Sequence, residues 1–206
     1  MISGGVYKLG DGDEDAAVDL AVAALKRGEL VVIPTETVYG LVADDSVVGA
    51  TERIYAAKRR DAGKPLQLLI SGVDVIAEMG FKLSEVERRL AKRFWPGGLT
   101  LIVKHDGRCE GFRVPDSEIA LEIVKRVGGA LRSTSANSSG DPAALTADEA
   151  VENLGDVVSV VLDGGPVVGG VASSVVRVDH NGVVEVLREG AFAKADLIAE
   201  GNMICE

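Results

Sequence analysis

Glu29-Leu30-Val31-Val32-Ile33-Pro34 is a short apolar run closed by proline. That is the pattern of a buried strand rather than a helix, which needs ten or more residues to show its period. The segment before it, residues 13–26, opens on Asp13, Glu14 and Asp15, continues through Ala16, Leu20, Ala23 and Ala24, and meets Gly28. Acidic residues at the start and glycine at the end are the charge order and stop signal of a helix. Beyond the strand, Pro34-Thr35-Glu36-Thr37-Val38-Tyr39-Gly40-Leu41 has no helical period and sets polar side chains between apolar ones. It reads as a strand end running into a loop. Helix, strand and polar loop in succession predict an α/β chain.

The alternation continues. A helix is expected over residues 46–60, and 66–70 reads as another buried strand. Ser84-Glu85-Val86-Glu87 has the capping-box pattern for a helix to about Phe94, ended by Trp95-Pro96-Gly97-Gly98. Residues 99–103 and 111–114 have strand character, 117–127 are helical, and 130–133 lead into Ser133-Thr134-Ser135-Ala136-Asn137-Ser138-Ser139-Gly140. Thr146-Ala147-Asp148-Glu149 is a second capping box, and 157–162 an apolar strand. Residues 175–178 and 183–187 read as a hairpin around His180-Asn181-Gly182, with Asn-Gly as the turn signal. Strands predominate in the last third, so the sheet is expected to be of mixed direction. Residues 199–206 read as a loosely held tail.

At 206 residues and 47% hydrophobic the chain can bury a substantial core as one domain, residues 1–206. With 22 Lys and Arg against 32 Asp and Glu, the net charge of -10 discourages broad contact with nucleic acid. Cys109 and Cys205 stand outside any C-x-x-C spacing, which indicates free thiols in a reducing compartment. No apolar run approaches membrane-spanning length, and the first residues lack the regions of a signal peptide, so the expectation is cytoplasmic.

Several chemistries are set aside. There is no P-loop, and Gly10-Asp11-Gly12 is not followed by the rest of a dinucleotide fingerprint. Asp11, Asp13 and Asp15 imitate the start of a calcium loop, but Ala16 replaces its glycine. His105 and His180 read as surface histidines, no residue stands out as a metal ligand, and Cys109 lacks an orienting partner for a nucleophile. Trp95 is expected to pack the end of its helix.

The feature that remains is a basic knot, Lys58-Arg59-Arg60 with Lys64-Pro65, in an acidic chain. A helix C-terminus alone attracts cations. It explains less well why Lys64 follows at once in a loop. The hydroxyl and amide side chains of 133–140 form a second anion-friendly stretch, and together the two point to a phosphate-bearing ligand.

Seven segments in order carry a resemblance: the knot; Pro34 to Leu41; Phe94-Trp95-Pro96-Gly97; Arg113-Val114-Pro115; Thr134-Ser135-Ala136-Asn137; Ser173-Ser174-Val175-Val176; and Arg188-Glu189-Gly190. Over residues 31–190 the chain resembles the YrdC/Sua5 family of threonylcarbamoyl-AMP synthases. The resemblance implies an open, twisted, mixed α/β sheet with helices around a large basic cavity. It also implies a nucleotidyltransferase that makes threonylcarbamoyl-AMP and pyrophosphate from L-threonine, bicarbonate and ATP, with Mg2+ on the triphosphate. A downstream transferase would pass the group on to make N6-threonylcarbamoyladenosine (t6A) at tRNA position 37.

By similarity, Thr37, Arg113, Thr134, Ser173 and Ser174 would hold threonine. Lys58, Arg60, Lys64, Ser135, Asn137 and Arg188 would hold ATP, with Lys58 and Arg60 catalytic. Tyr39 lies in the same motif without an assigned role. Many relatives place a histidine where Leu69 stands, so the resemblance implies a missing ring contact to substrate. Longer members carry a second C-terminal domain, and this chain resembles the single-domain form. Two other readings fit the same cavity: a non-catalytic module binding tRNA or double-stranded RNA, and a carbamoyl-handling domain of a larger carbamoyltransferase system.

Overall fold

The computed structural model describes residues 5–10, 12–61 and 63–203. Asp11, Cys205 and the ends of the chain, including the last part of the expected tail, lie outside the described residues. In chain order the first elements are β1 (Gly5–Lys8), α1 (Glu14–Lys26), β2 (Val31–Ile33), β3 (Gly40–Ala43), α2 (Ala50–Ala57), β4 (Gln67–Ile70), α3 (Asp74–Glu78) and α4 (Glu85–Phe94). There follow β5 (Leu99–His105), β6 (Arg108–Arg113), α5 (Glu118–Val127), β7 (Ala130–Ser135), α6 (Ala147–Leu154), β8 (Val160–Asp163), β9 (Ser174–Val178), β10 (Val184–Arg188) and α7 (Lys194–Gly201).

Among the described residues ten strands join one sheet in the order β1-β8-β2-β3-β7-β4-β6-β5-β9-β10. The pairs β1/β8, β2/β8, β4/β6 and β5/β9 are parallel, and the remaining five are antiparallel. The mixed, open sheet expected from the sequence is therefore present. In β2 the alternation of side chains sends Val31 and Ile33 into the core under α1 and α5, and Val32 into a second core with Ala147 and Ala150 of α6. A strand buried on both faces has no polar phase, which is why the run reads as uniformly apolar. A third cluster joins Leu68 and Ile70 of β4 to Leu101, Phe112, Val176, Leu90 of α4 and Leu197 of α7.

Caps place the helix starts. Ser84 and Glu87 form the capping box of α4, and the Ser117 and Thr146 hydroxyls accept from the backbone N–H groups of Ala120 and Glu149 at the starts of α5 and α6. The helix expected over 46–60 is shorter. The Asp44 carboxylate accepts from the Ser46 N–H at 2.9 Å and the Ser46 hydroxyl at 2.6 Å, and Gly49 takes φ 82, so α2 begins only at Ala50. Lys58 is its C-cap, followed by Arg59 at φ 48.

The expected tail loses its first residues to α7. Leu197 is fully buried, and Gly201 sits where an added Cβ would meet Val184 Cγ2 at 2.1 Å. The strand expected over 111–114 starts earlier, because Asp106 (φ 49) and Gly107 (φ 77) reverse the chain between paired His105 and Arg108. The 181–182 hairpin forms with a wider reversal, in which the Asp179 carboxylate accepts from the N–H groups of Asn181 and Val183.

Candidate functional site

β4 and β7 lie side by side, with Leu69 opposite Leu131 and Gln67 opposite Ser133. The two leucines pack with Ile123 and Val124 of α5. Where that helical cover stops, the same face of the sheet turns polar and opens as a cleft of about 260 Å³. Its walls include Thr37, Arg60, Gln67, Thr100, Arg113, Ser133, Thr134, Ser135, Ser173 and Arg188. They come from the β2–β3 loop, the segment after α2, and β4, β5, β6, β7, β9 and β10 with its neighbour. Gln67 and Ser133, 66 positions apart in sequence, thus stand opposite one another on adjoining strands. The cavity is basic, as the resemblance implied, and modest in size.

Three guanidiniums dominate it. Arg113, at the end of β6, is 3% exposed and donates from Nε to the Gly97 carbonyl (3.2 Å) and from Nη2 to Glu36 Oε1 (2.7 Å) and Thr37 Oγ1 (2.8 Å). Arg188 donates from Nε and Nη2 to the Ser173 carbonyl (3.0 and 2.7 Å) and from Nη2 to the Ser173 hydroxyl (3.1 Å). Arg60 donates to the carbonyls of Lys64 (3.4 Å) and Pro65 (3.2 Å). Burial first, then Arg113 and Arg60, push Arg188 below the usual guanidinium range. Like charges held this close in a partly desolvated space need an anion. Of the nearby carboxylates, Glu36 is bound to Arg113 and Glu110 to Arg132 at 2.8 Å.

Lys58 lies outside this lining. Its side chain is buried, and Nζ donates to the Ser135 carbonyl (2.5 Å), the Asn137 carbonyl (2.6 Å) and Asn137 Oδ1 (3.1 Å). Three donors meet three protein oxygens, so the ammonium fastens the end of β7 and does not line the cleft. Asn137 completes the brace, donating from Nδ2 to the carbonyls of Ser138 (3.0 Å) and Asp141 (2.6 Å). Lys64 is exposed beside the cleft mouth, after Arg60.

Tyr39 and Ser174 also face away from the cleft. The Tyr39 hydroxyl donates to the Gly165 carbonyl (2.7 Å) and accepts from the Gly164 N–H (3.1 Å), and burial pushes its pKa up to about 12. The Ser174 hydroxyl donates to the Phe192 carbonyl (2.8 Å) and accepts from the N–H groups of Gly190 and Phe192. Both brace backbone around the cleft. The glycines in these loops permit close crossings: a Cβ on Gly190 would lie 2.2 Å from the Ala172 carbonyl oxygen, and one on Gly169 2.4 Å from that of Glu36.

Sequence reasoning missed a polar chain on the cleft floor, in which the Thr100 hydroxyl donates to Gln67 Oε1 (2.5 Å) and shares a hydrogen bond with the Ser173 hydroxyl (2.8 Å). Polar residues at the uncovered ends of otherwise apolar strands were the signal. It also missed Glu36 as the carboxylate on Arg113. Leu69 is fully buried under α5, one pleat away from the cleft lining. Among the described residues no group of three or more His, Cys, Asp and Glu side chains is set to hold a metal ion. No described helix is long and apolar enough to cross a membrane.

The fold and the cleft define the class: a mixed α/β protein with an arginine-lined, hydroxyl-rich cleft. The Sua5/YciO/YrdC family, described as "Telomere recombination", matches residues 23–190, and the chain belongs to that family. It is 33% identical over 196 residues to the threonylcarbamoyl-AMP synthase of Bacillus subtilis, spanning 90% of this chain and 56% of the relative. Over 154 residues it is 35% identical to the threonylcarbamoyl-AMP synthase of Chromohalobacter salexigens, spanning 70% of this chain and 83% of the relative. The crystal structure of Pyrococcus abyssi Sua5 complexed with L-threonine superposes with a TM-score of 0.87 at 30% identity, covering 95% of this chain and 60% of that one.

Proposed function

We propose that this chain is a nucleotidyltransferase that joins L-threonine, bicarbonate and ATP into threonylcarbamoyl-AMP for t6A modification of tRNA. The observation that carries the reading is the convergence of Arg60, Arg113 and Arg188 on one hydroxyl-lined cleft, with the Arg188 pKa lowered by burial first and then by its two neighbours. The relatives named for this activity support it. In the reaction the neutral threonine amine attacks the bicarbonate carbon and water leaves. An oxygen of the resulting N-carboxylate then attacks the α-phosphorus, whose bond to the β-bridging oxygen breaks to release pyrophosphate. Every reactant after the amine is anionic, so fixed cations lower the barrier by offsetting repulsion and by positioning.

In this reading Arg113, held by Glu36, Thr37 and the Gly97 carbonyl, presents a guanidinium to the threonine carboxylate. Thr37, Thr134 and Ser173 supply hydroxyls beside it, while Arg60, Lys64, Ser135 and Arg188 face the nucleotide. Lys58 and Asn137 act by fixing the backbone that carries Ser135. Magnesium would arrive on the triphosphate and neutralise its charge. Labelled bicarbonate, ATP, magnesium and L-threonine should together yield threonylcarbamoyl-AMP by mass spectrometry, with no product when any one is omitted. Protein that binds ATP but never forms the adenylate would refute the reading.

A further inference from the structure

On the side of the sheet covered by α3 and α4 lies a second depression, about 710 Å³, unrelated in chemistry to the cleft. Its floor is apolar: Ile76, Phe81, Leu83 and Ala91, with Val73 half exposed and Trp95-Pro96 forming one wall. Its rim is cationic. Lys82, Arg88 and Lys92 are exposed around it, no Asp or Glu lines it, and none of the three is in an ion pair among the described residues. In a chain of net charge -10, three unpaired cations around an apolar hollow are a local reversal of sign.

We propose that this groove docks an acidic segment of a partner protein, with bulky apolar side chains in the hollow and carboxylates on the rim. The volume is that of a ligand pocket of ordinary size. The rim separates this occupant from a fatty acid. Arg88 and Lys92 stand one helical turn apart on α4 and Lys82 precedes that helix, so one carboxylate can meet only part of the charge. A peptide with several Asp or Glu residues between apolar anchors meets all of it. The wall residues Trp95 and Pro96 continue into Gly97, whose carbonyl holds Arg113, so a seated partner abuts the loop that shapes the catalytic cleft.

Trp95 is the single tryptophan of the chain, so its emission reads the groove directly. The probe is a synthetic twelve-residue peptide alternating Glu with Leu and Phe, titrated into the whole protein at low salt. Two control peptides replace every Glu by Lys, or every Leu and Phe by Ser. The acidic apolar peptide should shift Trp95 emission saturably, and R88E/K92E should weaken it at least tenfold while circular dichroism and the urea unfolding midpoint stay unchanged. Neither control should bind. The proposal is overturned by no saturable shift with the acidic peptide, equal binding to R88E/K92E, equal binding of a control, or a shift with oleate alone. A concentration-dependent shift without peptide, matched by dimer in sedimentation, would assign the groove to a second copy and overturn it as well. Because the readout is binding, failure of the proposed enzymatic activity leaves this test intact.

Discussion

Lys58 and Arg60 stand two residues apart after the same helix, and the fold puts their charges to opposite uses. Lys58 turns inward, where three oxygens of residues 135 and 137 accept its protons. Arg60 turns to the cleft, where it donates to two carbonyls among the described residues and lies near Arg188. One cation is consumed in building the site, and the other is left for what enters it. Cationic residues that look equivalent in sequence are told apart by the acceptors around them.

The strongest test of that contrast lies across the cleft. If Arg113 holds the threonine carboxylate as proposed, Arg113→Ala should lower kcat/KM for threonine by about 100-fold or more through loss of a charge-assisted pair. Pyrophosphate release measures it. Lys58→Met should cost about 2–3 kcal/mol of stability, since it leaves the Ser135 and Asn137 carbonyls without their donor. Arg60→Met should cost under about 1 kcal/mol, as expected for a partly exposed side chain, while still impairing catalysis. Urea unfolding of the pair decides the matter, and equal losses would erase the distinction. Tyr39→Phe should destabilise by about 1–2 kcal/mol through the stranded Gly165 carbonyl and Gly164 N–H, with threonine KM nearly unchanged.

The smallest effect concerns pH. Burial first, then Arg60, lowers the Lys58 pKa from 10.5 to about 8. Between those values the unfolded chain binds the additional proton, so the contribution of Lys58 to stability rises with pH across that window. The difference in unfolding free energy between wild type and Lys58→Met should therefore grow from pH 8 to 10. A difference that shrinks would place the folded pKa above the unfolded one.

The fold was legible where local chemistry is self-contained. Ser84 with Glu87 announces α4, and Val31 to Ile33 announces a strand buried on both faces. Elements defined by a partner were not. The five-residue α3 has no length for a period, the turn at Asp106-Gly107 lies between segments read as separate strands, and α7 owes its place to Gly201 against Val184. In the site, the family pattern named residues that the structure divides. Thr37, Arg60, Arg113, Thr134, Ser135, Ser173 and Arg188 line the cleft, whereas Lys58, Tyr39, Asn137 and Ser174 point into the scaffold around it. Which way a side chain points depends on strand register and on what the neighbouring loop offers, and neither is written in the motif.

The order of the sheet carries a mechanical consequence. β1 and β10 are its outermost strands, nine strand spacings or about 43 Å apart along the sheet at roughly 4.8 Å each. A force applied between Gly5 and Gly201 loads the sheet from its margins. Among the described strands β1 pairs with β8 alone and β10 with β9 alone, and the pull at Gly201 must strip α7 from Val184 before it reaches β10. β7, β4 and β6, which carry Thr134, Gln67 and Arg113, are the interior of the ribbon and the last to feel the pull.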